Sequence, residues 1–260
     1  FAAQALTAIK KEHDIHFIAI ATDYVSIPFW EETNPDYFII PSEKLKADFM
    51  KKGIEEKKLI PLGIPVQLEC SQDYKIEEVR KELNLKNDEK YILILTGSMG
   101  FGNIKGLIKD LISEIKDANF IISCGNNNEL LNELKNEYEG NDKIILLPFT
   151  DKLNLYIKAS NIILTKPGGL TTTEIATIGK PFIHTMPIPG CENYNSNFFQ
   201  NLKMSIKSDT KEEVIKNTKK LLTDEKLQKE MVINQRKYIN RNASMDIAEL
   251  ICKELKEKGE

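Results

Sequence analysis

The chain has 260 residues, 41% of them apolar, and its 39 acidic and 36 basic side chains leave a formal charge of −3. That length allows two compact domains or one large one with a real core, and the charge balance argues against wholesale nucleic-acid binding. Cys70, Cys124, Cys191 and Cys252 are widely spaced with no C-x-x-C pair, and no apolar run approaches bilayer length, so neither a zinc site, a disulfide framework nor a spanning helix is indicated and a reducing cytosol is expected.

Residues 2–10 read as a helix, so the chain, which opens on Phe1, is expected to begin inside a domain. The apolar run His16 to Ala21 has the character of a buried strand, and Thr22-Asp23 begins a polar segment that continues through Ile27-Pro28-Phe29-Trp30. Ligands of open α/β sheets sit beyond the carboxyl ends of strands, so Asp23 stands where a functional carboxylate could act, although an Asp capping the next turn is the simpler explanation. A strand at 37–40, a helix at 43–52 with Ser42 as its cap, and a last strand at 58–62 lead to Gly63-Ile64-Pro65-Val66. A domain boundary is expected near residues 66–74.

Tyr91-Ile92-Leu93-Ile94-Leu95 is the clearest strand, without alternation and therefore buried on both faces. It feeds the loop Gly97-Ser98-Met99-Gly100-Phe101-Gly102, which has neither the Gly-Lys-Ser/Thr ending of a Walker loop nor the dinucleotide G-x-G-x-x-G spacing. What remains is a loop that lets a phosphate or sugar approach closely, or a plain tight turn. Strands at 119–123, 143–147 and 161–164 alternate with helices at 104–116, 129–138 and 152–160, which implies a parallel sheet covered on both faces. Phe149 follows a strand end and could face the same crevice as Gly97.

The stretch Lys166-Pro167-Gly168-Gly169-Leu170-Thr171 then joins strand to helix. Its glycines permit close approach of a ligand to bare backbone, the helix start offers unpaired N–H groups, and Lys166 adds a charge: a phosphate cradle in outline. Thr171-x-x-Glu174 also fits a capping box, which would reduce the glycines to a turn. Glu174 shares a helix face with Leu170 and Ile178, and a carboxylate among apolar neighbours needs a partner. A strand at 180–184 leads to Pro189-Gly190-Cys191-Glu192-Asn193-Tyr194-Asn195, ahead of a helix around 197–201; Glu192 and Asn195, spaced i, i+3, suit sugar hydroxyls. His184 reads as structural. A short strand at 204–206 and helices at 211–222, 227–241 and 244–256 complete the chain.

Taken in order, Thr22-Asp23, Gly63-Ile64-Pro65-Val66, the Gly97-Ser98-x-Gly100 loop, Lys166 to Thr171 and Pro189-Gly190-x-Glu192-x-x-Asn195 resemble the monogalactosyldiacylglycerol synthase and processive diacylglycerol glucosyltransferase family over nearly the whole chain. The resemblance implies the α/β fold called GT-B, two facing Rossmann-like parallel-sheet domains, with the first truncated. Residues 1–70 would belong to the acceptor domain, 71–242 to the nucleotide-sugar donor domain, and 243–260 to a helix that could cross back to the first. It implies an inverting hexosyltransferase using UDP-glucose or UDP-galactose, with diacylglycerol as acceptor at the inner face of the cell membrane, without a metal or other cofactor. Gly97, Ser98 and Gly100 would face the donor diphosphate and Phe149 the uracil. Lys166, Gly168, Gly169, Leu170 and Thr171 would cradle the phosphates, Glu174 would take the ribose hydroxyls, and Glu192 and Asn195 would lie toward the sugar. No catalytic base is assigned beyond Asp23 as a candidate. Ile27-Pro28 stand where relatives often carry a histidine, and Cys191 where many have glutamine. The alternatives are an N-acetylglucosaminyltransferase acting on the lipid-linked peptidoglycan precursor, and a UDP-binding module without catalysis.

Overall fold

The computed structural model describes residues 2–97 and 104–257. Two parallel sheets organise them. In the first, β1 (Ile18–Ile20), β2 (Tyr37–Ile39) and β3 (Leu59–Ile60) lie in sequence order, accompanied by α1 (Ala2–Ile9) and α2 (Lys46–Lys51). Ser42 Oγ accepts from the Lys44 N–H at 3.3 Å, and the turn it caps is a 3₁₀ turn, Glu43–Leu45, before α2 begins.

The second sheet has six strands in the order β6-β5-β4-β7-β8-β9. They are β4 (Tyr91–Leu95), β5 (Asn119–Gly125), β6 (Ile144–Pro148), β7 (Ile162–Thr165), β8 (Phe182–Thr185) and β9 (Ile206–Ser208). Helices α3 (Ile76–Glu82), α4 (Ile104–Glu114), α5 (Asn128–Glu137), α6 (Leu153–Ala159), α7 (Gly169–Ile178), α8 (Cys191–Asn201) and α9 (Lys211–Thr223) connect or follow the strands. The chain builds outward from β4 to β6, then restarts on the other side of β4 with β7. That reversal opens a crevice at the carboxyl ends of β4 and β7.

Successive residues of a strand face opposite sides of the sheet, and the two cores sort accordingly. Tyr91, Leu93, Leu95, Ile163 and Phe182 join a core that continues into the first domain through Ala21, Tyr24, Phe38 and Phe49. Ile92, Ile94, Ile162, Leu164 and Ile183 pack with Leu107, Leu111, Val214 and Leu221 of α4 and α9. The absence of alternation in Tyr91 to Leu95 thus reflects a strand buried on both faces.

Several boundaries differ from the sequence reading, among them the helix expected at 227–241, which spans Glu225–Tyr238, and two whose cause is local. α8 begins at Cys191 rather than near Asn197, because Gly190, at φ 107°, turns the chain directly into the helix. The strand expected at 204–206 lies at Ile206–Ser208. Met204 instead closes α8, its N–H donating to the Phe199 carbonyl at 2.8 Å after Lys203 adopts a left-handed φ of 54°.

α10 (Glu225–Tyr238) packs on α7, and the buried Gln235 donates to the Lys180 and Met204 carbonyls, both at 2.9 Å. α11 (Ala243–Glu257) then returns to the first sheet. Asn240 donates to the Leu62 carbonyl at 2.8 Å, Ser244 to the Val66 carbonyl at 2.5 Å, and Ile247 and Ile251 of α11 lie beside Phe17, Ile18 and Tyr37.

His184, at the centre of β8, is fully buried between Thr172 Oγ1 (3.1 Å) and Ser205 Oγ (3.2 Å), with Phe182 and Phe199 at its edges. Burial lowers its pKa to about 3. A folded pKa below the unfolded value means that the neutral ring's contribution to stability is complete above pH 6.5 and is lost as pH falls toward 3, by about 1.4 kcal/mol per pH unit. Urea denaturation at pH 7 and pH 5 is expected to show native stability falling by about 2 kcal/mol more than that of His184→Asn, which keeps a donor and an acceptor without the titration.

Candidate functional site

A cavity of about 530 Å³ occupies the crevice at the carboxyl ends of β4 and β7. Gly97 follows β4, Phe149 follows β6, and Lys166, Gly168 and Thr171 span the passage from β7 into α7. Glu192, in the first turn of α8, completes the wall. Gly97, at φ 74°, takes a conformation that a side chain would strain, and the Lys166 stem runs 3.8 Å from where its Cβ would stand. Phe149 is 70% exposed, with its ring available for stacking. Ser98 and Gly100, expected on the same wall, lie outside the described residues.

The β7–α7 passage is a tight turn around Pro167, closed by the Gly168 N–H donating to the Lys166 carbonyl at 2.9 Å. Gly168 is the N-cap of α7, so the capping box at Thr171 does not form and Thr171 stands in the first helical turn. The first N–H bonded back along the helix is that of Thr172, to Gly168 O at 3.0 Å; those of Gly169, Leu170 and Thr171 come before it and have no acceptor within the helix. Open space surrounds Gly168, as a cradle requires. Gly169 is different: a Cβ there would overlap the Thr22 carbonyl oxygen and approach Asp23 Oδ1 at 3.3 Å. Its missing side chain makes room for the first domain.

Asp23, Tyr24 and Asn195 meet at this contact. Asn195 is fully buried; its Oδ1 accepts from the Tyr24 N–H at 2.6 Å, and its Nδ2 donates to Asp23 Oδ1 at 2.8 Å and to the Pro167 carbonyl at 2.9 Å. The Cys191 thiol is raised by burial, then by the Asp23 carboxylate, to which it also hydrogen-bonds. Tyr24 stacks on Phe198, and its hydroxyl meets Thr173 Oγ1 at 2.8 Å. Since Thr173 Oγ1 donates to the Gly169 carbonyl at 2.6 Å, the Tyr24 hydroxyl is the donor to Thr173. Glu192 and Asn195, a helical turn apart, therefore divide. Glu192 lines the cavity and accepts from the Ile188 N–H at 3.1 Å, whereas Asn195 turns to the domain contact.

Leu170 is half exposed beyond the helix start. Glu174, one turn further, is partly buried beside Cys70; burial raises its carboxyl pKa, and it has no hydrogen-bond partner among the described residues. Cys70 is pushed up to about 12 by burial, then by Glu174.

Thr96, Ser123, Gly125, Asn126, Leu153 and Thr165 also line the cavity. The run Gly125-Asn126-Asn127-Asn128 at the end of β5 carries a signal for this, a glycine at φ 54° and amides at a strand's carboxyl end. A larger hollow of about 730 Å³ beside β1 is lined by residues such as Ala3, Leu6, Ile27, Phe29 and Trp30, without a charged side chain, and offers nothing to a diphosphate. Among the described residues no three His, Cys, Asp or Glu side chains converge on a metal position, and no helix is long and apolar enough to cross a membrane.

Residues 91–251 match the family model described as the glycosyltransferase family 28 C-terminal domain. The chain belongs to glycosyltransferase family 28. Residues 1–66 match a second model, monogalactosyldiacylglycerol (MGDG) synthase. Among family relatives, the processive diacylglycerol beta-glucosyltransferase of Bacillus subtilis (strain 168) is 29% identical over 237 residues, covering 90% of this chain and 62% of that protein. Its namesake in Bacillus licheniformis is 27% identical over 93% of this chain and 62% of that protein. The chain thus spans about 62% of the length of these relatives. Solved structures share the fold: the UDP co-structure of S. aureus MnaA (TM-score 0.74, 19% identity, 98% of this chain and 73% of that one) and Acinetobacter baumannii MurG (0.69, 16%, 97% and 71%). The two-sheet architecture is that of GT-B proteins, as the motifs of the chain implied.

In this family 28 chain the domain contact at Gly169 is testable directly. Gly169→Ala is expected to lose about 1–3 kcal/mol, because the methyl group meets backbone that cannot rotate away. Thermal unfolding should show the loss, and limited proteolysis should show faster cleavage between residues 22 and 30.

Proposed function

We propose that the chain carries the donor site of a UDP-sugar-dependent hexosyltransferase that transfers glucose to diacylglycerol with inversion. The observation that carries this is the cavity at the β4–β7 reversal, where a helix start, a lysine, an exposed aromatic ring and a carboxylate converge. The diphosphate lies against Lys166 and the N–H groups of Gly169, Leu170 and Thr171, and uracil stacks near Phe149. The ribose hydroxyls donate to Glu174, whose partly buried carboxylate lacks another donor among the described residues. Glu192 accepts from the sugar hydroxyls.

In the reaction the acceptor hydroxyl oxygen bonds to the anomeric carbon as the bond from that carbon to the diphosphate breaks. UDP departs with the bonding pair, and the hydroxyl proton passes to a base. Charge therefore builds on the diphosphate, and fixed donors aimed at it lower the barrier. The match of residues 1–66 to the monogalactosyldiacylglycerol synthase model and the names of the relatives support the diacylglycerol acceptor; for the sugar, that model's name carries galactose, and the names of the relatives, which match over most of the chain, favour glucose. A lipid acceptor calls for peripheral attachment at the inner membrane face. The same match favours this acceptor over the peptidoglycan precursor.

Calorimetric titration of the chain with UDP is expected to give saturable heat, and Lys166→Ala to weaken binding about tenfold or more, the scale of a lost charge-assisted hydrogen bond. Absence of heat with the native chain would sink the donor-site proposal.

A further inference from the structure

The donor turn has two sides. Gly168 faces the cavity, while the Pro167 carbonyl points away from it and accepts from Asn195. The orientation of that amide is fixed by its partners. Only an oxygen can accept the Tyr24 N–H, and only an NH₂ group can serve the Asp23 carboxylate and the Pro167 carbonyl together. All three contacts are made within 2.9 Å by a fully buried side chain, and those to Tyr24 and Pro167 are buried at both ends. Among the described residues no other side-chain amide joins the first domain, the donor turn and α8.

We infer that Asn195 is a positioning residue of the donor site: it touches no substrate, but by holding the Pro167 carbonyl against Asp23 it sets the angle at which the start of α7 meets the diphosphate. This rests on the donor-site reading above and refines it. Two functions run through the one amide and can be separated. The Asp23 contact ties the domains together; the Pro167 contact sets the turn.

Asn195→Asp keeps the acceptor for Tyr24 but replaces the NH₂ group with an oxygen facing Asp23, so both donated bonds are lost and two carboxylates oppose each other. Combining it with Asp23→Asn returns an NH₂ group to the pair from the other side. The domain tie is thereby restored, and the Pro167 carbonyl still has no donor. Calorimetry with UDP and thermal unfolding of the 260-residue chain distinguish the two roles. Asn195→Asp is expected to lower the melting temperature and weaken UDP about tenfold; the Asp23→Asn/Asn195→Asp pair is expected to recover most of the melting temperature and leave UDP binding weak. Asn195→Ala, which adds no charge, should weaken UDP to a similar degree while remaining folded by circular dichroism.

UDP affinity that recovers together with melting temperature in the paired variant would reduce Asn195 to a stabilising contact and overturn the inference. So would Asn195→Ala and Asn195→Asp chains that bind UDP within twofold of the native chain. In both cases native UDP binding survives, so the donor-site reading stands; a native chain that binds no UDP overturns both.

Discussion

The Thr22 carbonyl oxygen sits where a side chain on Gly169 would have to be, and the arrangement of both domains depends on that close approach. A three-stranded sheet of short strands has little capacity to stand alone. Here it does not, because the core formed by Phe38, Ile40 and Phe49 runs on without a break into Leu93, Phe182 and Phe199 of the second sheet. Tyr24 is the centre of that junction, stacked on Phe198, edge-on to Phe199 and bonded through its hydroxyl to Thr173. Burial raises its phenol pKa and keeps it neutral, which suits a hydroxyl that donates.

Behind the junction, cations close the carbonyl ends of helices. Arg236 donates to the Thr177 and Ile178 carbonyls at 2.5 and 2.7 Å, where α7 ends, and Lys180 donates to the Ser160 carbonyl at 2.9 Å, where α6 ends. Lys158 donates to Glu69 O at 2.6 Å, and Arg241 donates to Ser71 O, so the linker between the domains is held by the same means. Helix carbonyl ends carry partial negative charge and need donors, which is why the buried ammonium groups of Lys158 and Lys180 are tolerated here. Tolerance has a limit: burial, then Arg80, brings the Lys180 pKa down to about 7. Tyr74, within 5.3 Å of both Lys158 and Lys180, offers its ring face to each ammonium group.

The second sheet was legible in the sequence because its signals are local. Apolar runs without alternation, separated by helical periods, allow few arrangements other than a parallel sheet, and the turn after Leu164 carries its glycines in plain view. Other features depend on residues distant in the chain. A glycine that admits a phosphate and one that admits another domain look the same in sequence, and only the position of Thr22 separates the role of Gly169 from that of Gly168. The i, i+3 spacing of Glu192 and Asn195 leaves about 60° between them on the helix, enough to put one in the cavity and the other in the domain contact. The neighbour of Glu174, Cys70, lies on the linker, and no local pattern announces it. Ser123 carries no such signal, because β5 reads as an ordinary core strand until its end is seen beside that of β4.

The residues lining the cavity all come from the second domain, between Leu95 and Glu192, yet the turn at its centre is shaped from behind by the first. Residues 167 to 169 make this possible by pointing in different directions. The Pro167 carbonyl turns back to Asn195, Gly168 faces open space at the cavity, and Gly169 presents a bare α-carbon to Thr22. A shift of the first domain relative to α8 must therefore act on the turn, through a buried amide whose two N–H donors are both committed. Linkage makes the effect reciprocal: a ligand that prefers one angle of the α7 start also prefers one approach of the domains. That coupling places the shape of the cavity and the approach of the two domains under a single constraint.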